Sequence, residues 1–170
     1  MTRRSVLFSA VAALAISAIV LLPRTGLGQG HSNCTPVGGA LITDIGAIDG
    51  IYNLGPVWGD LRGSVAAKII SANSDGTFTV KRTWVAETGE ILNLSLSILK
   101  PVYPFPENTA VVAVPWGHYS SDIKGGTGKF ENATGHLDYI GMADFARNTL
   151  VLRYKGYVCY AHFHPDRDND

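Results

Sequence analysis

Charged residues are scarce in this sequence, and clusters of basic residues are missing from it. Only 16% of the 170 residues are charged, and 14 basic residues balance 14 acidic ones. A nucleic-acid-binding surface needs clustered Lys and Arg, so this composition excludes nucleic acid as a partner. The sequence also lacks Gly-x-Ser-x-Gly and His-Glu-x-x-His, and their absence excludes the common hydrolase signatures.

The N-terminal segment has the layout of a secretory signal peptide. Arg3 and Arg4 precede an uncharged run at 6–22, and small residues follow it. This order predicts a signal peptide at residues 1–30 and export to the periplasm or the medium. The two arginines also loosely fit a twin-arginine signal. An uncleaved membrane anchor is the alternative, although the run is shorter than the ~20 residues that span a bilayer.

The remaining residues, 31–170, are enough for one domain with a buried core. Loss of Arg3, Arg4 and Arg24 would leave 11 basic and 14 acidic residues, a net charge of about −3. Two cysteines remain, Cys34 and Cys159. An even number in an exported chain predicts a disulfide between them, with two separate buried thiols as the alternative.

Helical periodicity is nearly absent after the signal segment, and short apolar or alternating runs recur between turn signals. This pattern predicts an all-β domain of seven or eight strands, either a sandwich or a barrel. Glycines inside the strands favour the small antiparallel closed barrel of about eight strands. The run WGDLRGSVAAKII is predicted as a single strand.

Alternation with a period of two predicts which side chains of a strand share a face. The predicted inward sets are Phe78, Val80, Arg82 and Trp84; Leu92, Leu94, Leu96 and Ile98; and Leu150, Leu152, Tyr154, Val158 and Tyr160. A buried arginine is costly unless something pairs with it. Arg82 therefore predicts either an internal carboxylate or an anionic or carbonyl group on a ligand.

The glycine-rich stretch GGTGKFENATG lies at 125–135. It is not a phosphate loop, because Phe130 follows Lys129 where the Walker pattern needs Ser or Thr, and an alternating strand pattern follows where a helix is needed. The stretch resembles the G-G-T-G-x-F-x-x-A-x-G segment of dirigent proteins, which allene oxide cyclase-like barrels share in variants. The resemblance implies a barrel around a lined cavity, with Phe130 at one end of the core.

The resemblance does not extend to dirigent chemistry. Lys129 stands where dirigent proteins often have an acidic residue, and Thr134 stands where they typically have an arginine. The resemblance therefore implies a shape and a cavity but no reaction. By analogy with similar barrels, self-association of this chain is also expected.

The sequence thus predicts an exported β-barrel that binds a small hydrophobic molecule in its lumen. The predicted ligand contacts are Arg82, Trp84, Tyr154 and Tyr160. An isomerase or cyclase that acts inside the same cavity, or a purely structural barrel, are the alternatives. No cofactor is expected. His162 and His164 have metal-ligand spacing without an evident third ligand, so they are interpreted as a surface pair and no metal is expected.

Overall fold

The structure, a computed structural model, describes residues 34–161. The predicted signal peptide at 1–30, its predicted boundary with the domain, and the His162–His164 pair lie outside the described residues. The strands are β1 (Cys34–Ile48), β2 (Tyr52–Gly59), β3 (Gly63–Ala72), β4 (Phe78–Ala86), β5 (Ile91–Leu94), β6 (Ser97–Leu99), β7 (Val111–Val114), β8 (Ser120–Gly126), β9 (Thr134–Asp144) and β10 (Thr149–Cys159). One 3₁₀ turn, Gly128–Phe130, precedes β9.

These strands form one antiparallel sheet that closes on itself. The order runs from β10 through β1, β2, β3, β4 and β5 to β8 and β9, and β9 pairs with β10 to complete the circle. β5 and β6 pair with different parts of β4, while β7 and β8 pair with different parts of β9. The ten strands therefore occupy eight positions, which confirms the predicted closed barrel of about eight strands.

The first and last strands meet at a seam. β1 and β10 pair without interruption from the Cys34–Cys159 position to the Asp44–Thr149 position. Cys34 and Cys159 are joined by a disulfide at one end of this pairing. The predicted bridge is confirmed, and it fastens the two strands that are most distant in sequence.

Gly156 shows how closely neighbouring strands approach in this coiled sheet. A Cβ atom added to Gly156 would lie 1.8 Å from the backbone oxygen of His136 in β9. No side chain fits at that distance, so the close approach of β9 and β10 requires glycine. Gly156 therefore permits the tight coiling of the sheet, which is the reason why strand glycines predict a barrel.

The interior is filled by the inward faces of the strands. In β4, Val80, Arg82 and Trp84 are buried, as predicted. In β10 the buried residues are Leu150, Leu152, Tyr154 and Val158, again as predicted. Phe78 and Tyr160 are partly buried and pack against this core.

The structure corrects the predicted inward face of the run at 91–100. Leu94 is only 6% exposed, but Leu96 is 61% exposed and Ser97 is buried instead. The backbone N–H of Ser95 donates to the backbone oxygen of Asp122, and the backbone N–H of Asp122 donates to Ser95 Oγ. These bonds hold an irregular segment between β5 and β6, and the alternation changes phase there, so Leu96 and Ile98 point outward.

A second correction concerns the predicted single strand WGDLRGSVAAKII. The chain turns within it, because β2 ends at Gly59 and β3 begins at Gly63. Both glycines have positive φ, 105° and 148°, which glycine adopts readily and other residues rarely do. The turn places Leu61 in the core between two exposed residues, Asp60 and Arg62.

Candidate functional site

A pocket of about 250 Å³ opens at one end of the barrel. We call it the mouth pocket. Its apolar lining consists of the side chains of Leu61, Trp84, Ala86, Leu92, Phe130 and Tyr160. Four exposed charged residues, Asp60, Arg62, Glu87 and Lys129, also line it. The mouth pocket therefore combines aromatic and aliphatic walls with a charged rim whose formal charges balance.

The glycine-rich stretch at 125–135 positions one wall of the mouth pocket. Thr127 anchors it to β5, because its N–H donates to the Ile91 carbonyl at 2.9 Å and its Oγ1 accepts from the Ile91 N–H at 2.9 Å. The following 3₁₀ turn buries Phe130, whose ring stacks on Tyr160 with 6.1 Å between centroids. Phe130 thus lies at one end of the core, as expected from the sequence.

The close contact at Gly126 explains why the stretch needs glycine. A Cβ atom there would lie 1.8 Å from the backbone oxygen of Ile91. Any side chain would push the 3₁₀ turn away from β5 and would displace Phe130 from the mouth pocket.

Trp84 separates the mouth pocket from the rest of the lumen. It is 1% exposed, and its ring meets the Tyr154 ring edge-on at a centroid distance of 5.2 Å. Its Nε1–H group has no hydrogen-bond partner among the residues that the structure describes. An indole N–H is a donor only, so Trp84, which lines the mouth pocket, contains a buried and unused donor.

Tyr154 has a structural role in this arrangement. Its hydroxyl accepts a hydrogen bond from the Leu61 N–H at 3.0 Å and donates one to the Trp58 carbonyl at 3.2 Å. Burial raises the pKa of Tyr154. The hydroxyl therefore holds the turn between β2 and β3, and this turn carries Asp60 and Arg62 to the rim.

Arg82 lies deeper in the lumen and is 3% exposed. Its guanidinium carbon lies 4.2 Å from the centroid of the Tyr119 ring and 4.0 Å from that of Tyr139. Within residues 34–161, no carboxylate forms an ion pair with Arg82, and its Nη1 atom has no hydrogen-bond partner. The internal carboxylate that was one of the two predicted partners is therefore not found in this part of the chain.

Arg82 borders a second space, which we call the inner cavity. Its volume is about 50 Å³. Its walls are mostly apolar, and its polar lining includes Asn53, Arg82 and Tyr119. Along β4, Phe78, Val80 and Arg82 line the inner cavity, whereas Trp84 and Ala86 line the mouth pocket. The two spaces therefore lie toward opposite ends of the lumen.

The four predicted ligand contacts are thus distributed over two places. Trp84 and Tyr160 line the mouth pocket, and Arg82 lines the inner cavity. Tyr154 lines neither, because it packs on Trp84 and bonds to the turn between β2 and β3. The structure does not bring all four residues to one site.

Sequence reasoning missed the two tyrosines that enclose Arg82. Tyr139 shares the inward face of β9 with Leu137, so the period of two in this strand was the signal that could have placed it inside. Tyr119 lies outside the strands and directly precedes β8. Its burial depends on packing against residues distant in sequence, for which no local pattern gives a signal.

A group of charged side chains surrounds His136 on the outer surface. His136 Nδ1 lies 3.0 Å from Asp122 Oδ1, and His136 Nε2 lies 3.5 Å from Asp138 Oδ1. The hydrogen bond with Asp122 raises the pKa of His136. Among residues 34–161, no group of three or more His, Cys, Asp or Glu side chains is arranged to hold a metal ion. That part of the chain also contains no helix of the length and apolarity needed to cross a membrane.

Comparisons with known proteins give little beyond this geometry. No family model and no curated protein matches the sequence. Among solved structures, a pterocarpan synthase dirigent protein matches with 13% sequence identity and a TM-score of 0.31, over 77% of this chain and 87% of that one. A similarity of this size carries no argument about this chain, and the barrel described above rests on its own strand pairing.

Proposed function

We propose that this protein binds a small hydrophobic molecule in the lumen of its barrel, at the mouth pocket. The observation that carries the proposal is an open pocket of about 250 Å³ lined by Trp84, Leu92, Phe130 and Tyr160. Small-molecule sites are typically concave and mostly apolar, with a few polar groups that fix orientation. Trp84 Nε1 is our candidate for such a group, since it is a buried donor whose proton no residue in 34–161 accepts.

The lining of the mouth pocket also indicates the chemistry of the ligand. Two acidic residues, Asp60 and Glu87, and two basic ones, Arg62 and Lys129, line the rim. This balance gives no net attraction for an ion of either sign. Aromatic side chains in the wall favour a flat apolar compound. We therefore expect a neutral ligand with a hydrogen-bond acceptor for the Trp84 indole. The ligand should be small, because the mouth pocket, at about 250 Å³, lies just below the ~300–1,000 Å³ range of ligand sites.

Binding of a neutral fluorescent probe tests this proposal. N-phenyl-1-naphthylamine is titrated into the purified protein, and saturable fluorescence enhancement is expected. Phe130→Ala should weaken the affinity about tenfold, because one wall of the mouth pocket is removed. Trp84→Phe should weaken the binding of probes that carry a carbonyl acceptor more than that of pure hydrocarbons. Circular dichroism shows whether each variant keeps its strands.

Trp116→Phe is the matched control, because Trp116 is exposed and does not line the mouth pocket. Its affinity for the probe should equal that of the wild type. If the folded wild-type protein binds no neutral apolar probe saturably, the proposal is wrong and a purely structural barrel is favoured. Conversion of a bound compound into an isomer would instead favour the isomerase or cyclase alternative.

We also propose that the chain is exported and loses residues 1–30. The support is the disulfide between Cys34 and Cys159, since disulfides persist mainly in oxidising compartments. Mass spectrometry of the secreted or cell-envelope fraction should find a chain that begins near Gln29 or His31. A cytoplasmic protein with an intact Met1 would contradict this proposal.

A further inference from the structure

We propose that the inner cavity is a separate binding site for a small monovalent anion of the carboxylate class, held by Arg82. This site differs from the mouth pocket in place, size and charge.

The charge of Arg82 is not neutralised by the part of the chain that the structure describes. An arginine side chain stays protonated in proteins. The Arg82 side chain is only 3% exposed, and no carboxylate within residues 34–161 pairs with it. A buried charge without a counterion is strongly unfavourable. An anion in contact with the guanidinium would remove this cost.

The two tyrosines beside Arg82 do not act as counterions. Their ring faces attract the guanidinium by cation–π interaction, which distributes its charge but does not cancel it. Burial raises the pKa of Tyr119 to about 12, so this phenol is neutral near pH 7. The hydroxyl of Tyr139 has no hydrogen-bond partner within residues 34–161. Tyr139 does not line the inner cavity, so this hydroxyl is not one of the donors of the proposed site.

Asn53 adds another donor to the inner cavity. Its Oδ1 accepts a hydrogen bond from the Gly46 N–H at 3.1 Å. The acceptor of this amide is thus engaged, and the NH₂ group remains to contact a ligand. Arg82 and Asn53 therefore both offer N–H donors in a cavity whose other walls are largely apolar. This combination selects a hydrogen-bond acceptor with a negative charge.

The volume of the inner cavity limits the size of the anion. A cavity needs roughly 10–15 Å³ to hold one water molecule. The inner cavity, at about 50 Å³, therefore has room for a few groups of the size of a water molecule. Formate and acetate fit within this limit, and a planar carboxylate also matches the guanidinium geometry. Chloride is smaller and tests whether charge alone is sufficient. A long-chain carboxylate does not fit unless the cavity widens.

Thermal unfolding at constant ionic strength tests the proposal. The protein is dialysed into a buffer free of halide and carboxylate, and sodium acetate, formate or chloride then replaces sodium sulfate. A ligand that binds only the folded state raises Tm as its concentration increases. We expect a saturable rise in Tm with acetate and formate, and a smaller one with chloride.

Two variants on the same strand separate the inner cavity from general salt effects. Arg82→Met removes the buried charge at similar volume and should abolish the saturable rise in Tm. Lys81→Met removes a charge from the exposed neighbour of Arg82 and should leave the rise unchanged. Phe130→Ala should lower the starting Tm, because Phe130 is part of the core, but Phe130 does not line the inner cavity and the saturable rise should remain. Failure of the proposed function and failure of this inference are therefore distinguishable.

A measurement on the wild-type protein covers the case in which Arg82→Met does not fold. Broadening of the ³⁵Cl NMR line by the protein should be reversed by acetate in the millimolar range. The inference is overturned if Arg82→Met responds to acetate as the wild type does. It is also overturned if the wild type shows neither a saturable rise in Tm nor line broadening that acetate reverses.

Discussion

The hydroxyl oxygens of Ser97 and Ser121 lie 2.6 Å apart inside the barrel, so each residue satisfies the buried polar group of the other. Ser121 belongs to β8, which pairs with β5. Ser97 begins β6 and is the inward residue there, although leucine and isoleucine flank it. The contact marks the point at which the alternation of this run changes phase.

This change of phase predicts different effects for two leucines that the sequence makes look equivalent. Leu94→Ala removes a buried side chain and should lower the free energy of unfolding by about 2–5 kcal/mol. Leu96→Ala alters an exposed side chain and should change it by less than about 0.5 kcal/mol. Urea denaturation followed by circular dichroism measures both. Equal losses in the two variants would show that the run continues as one regular strand.

Gly156 should tolerate no side chain. Gly156→Ala would place a Cβ atom 1.8 Å from the His136 backbone oxygen, so β9 and β10 must separate. We expect a loss of more than about 2 kcal/mol in the free energy of unfolding. Gly38→Ala is the matched control in the adjacent strand β1, because its nearest atom would be an ordinary 3.5 Å away. The denaturant midpoints of the two variants test the prediction, provided that the unfolding free energy of both depends equally on denaturant concentration.

Removal of the disulfide should destabilise the closed barrel. Cys34 and Cys159 are 125 residues apart, and the chain-entropy model gives a loss of at most about 5 kcal/mol for a loop of this length. The double variant Cys34→Ser with Cys159→Ser should therefore unfold at a lower denaturant concentration than the oxidised wild type. The wild type measured with a reductant should match the double variant. Identical midpoints for all three samples would show that strand pairing alone holds the seam.

Tyr119 should make the protein less stable in alkali. Its folded-state pKa is about 12 because of burial, against 10.0 for the exposed group. Above pH 10 the unfolded chain loses this proton while the folded chain keeps it, so stability falls as pH rises from 10 to 12. The difference is on the order of 3 kcal/mol at pH 12. Tyr119→Phe should lose less stability over the same range, as measured by urea denaturation at pH 9 and pH 11.

A decrease that is the same in Tyr119→Phe and in the wild type would assign the alkaline effect to other groups. Burial also raises the pKa values of Tyr154 and Tyr160, so part of the decrease should persist in the variant. The phenolate absorbance of the folded wild type should correspondingly continue to rise above pH 11.

The sequence was sufficient to predict the fold class and the interior faces of β4 and β10. Burial alternates regularly at 80–84 in β4 and at 150–154 in β10. The sequence was not sufficient at Leu96. The irregular segment there depends on hydrogen bonds between Ser95 and Asp122, which are 27 residues apart. The local alternation of apolar and polar residues cannot predict a contact between residues so far apart in sequence.

The candidate site was predictable to a similar extent. Arg82 and Trp84 were correctly placed inside, since they alternate with exposed residues of β4. Their assignment to different ends of the lumen was not predictable, because it depends on which side chains from other strands pack between them. Tyr119 and Tyr139 enclose Arg82 from separate strands, and only the closed barrel brings these residues together.

The pairing of β1 with β10 has a consequence for the way the chain folds. One edge of β1 stays unpaired until the last strand is available, since the residues that pair with this edge lie between Thr149 and Cys159. Contacts so distant in sequence slow folding. Until β10 arrives, β1 presents unpaired backbone groups to any other extended chain, which invites aggregation. A chain shortened before β10 would keep this edge permanently open, so the barrel can close only after synthesis has passed Cys159.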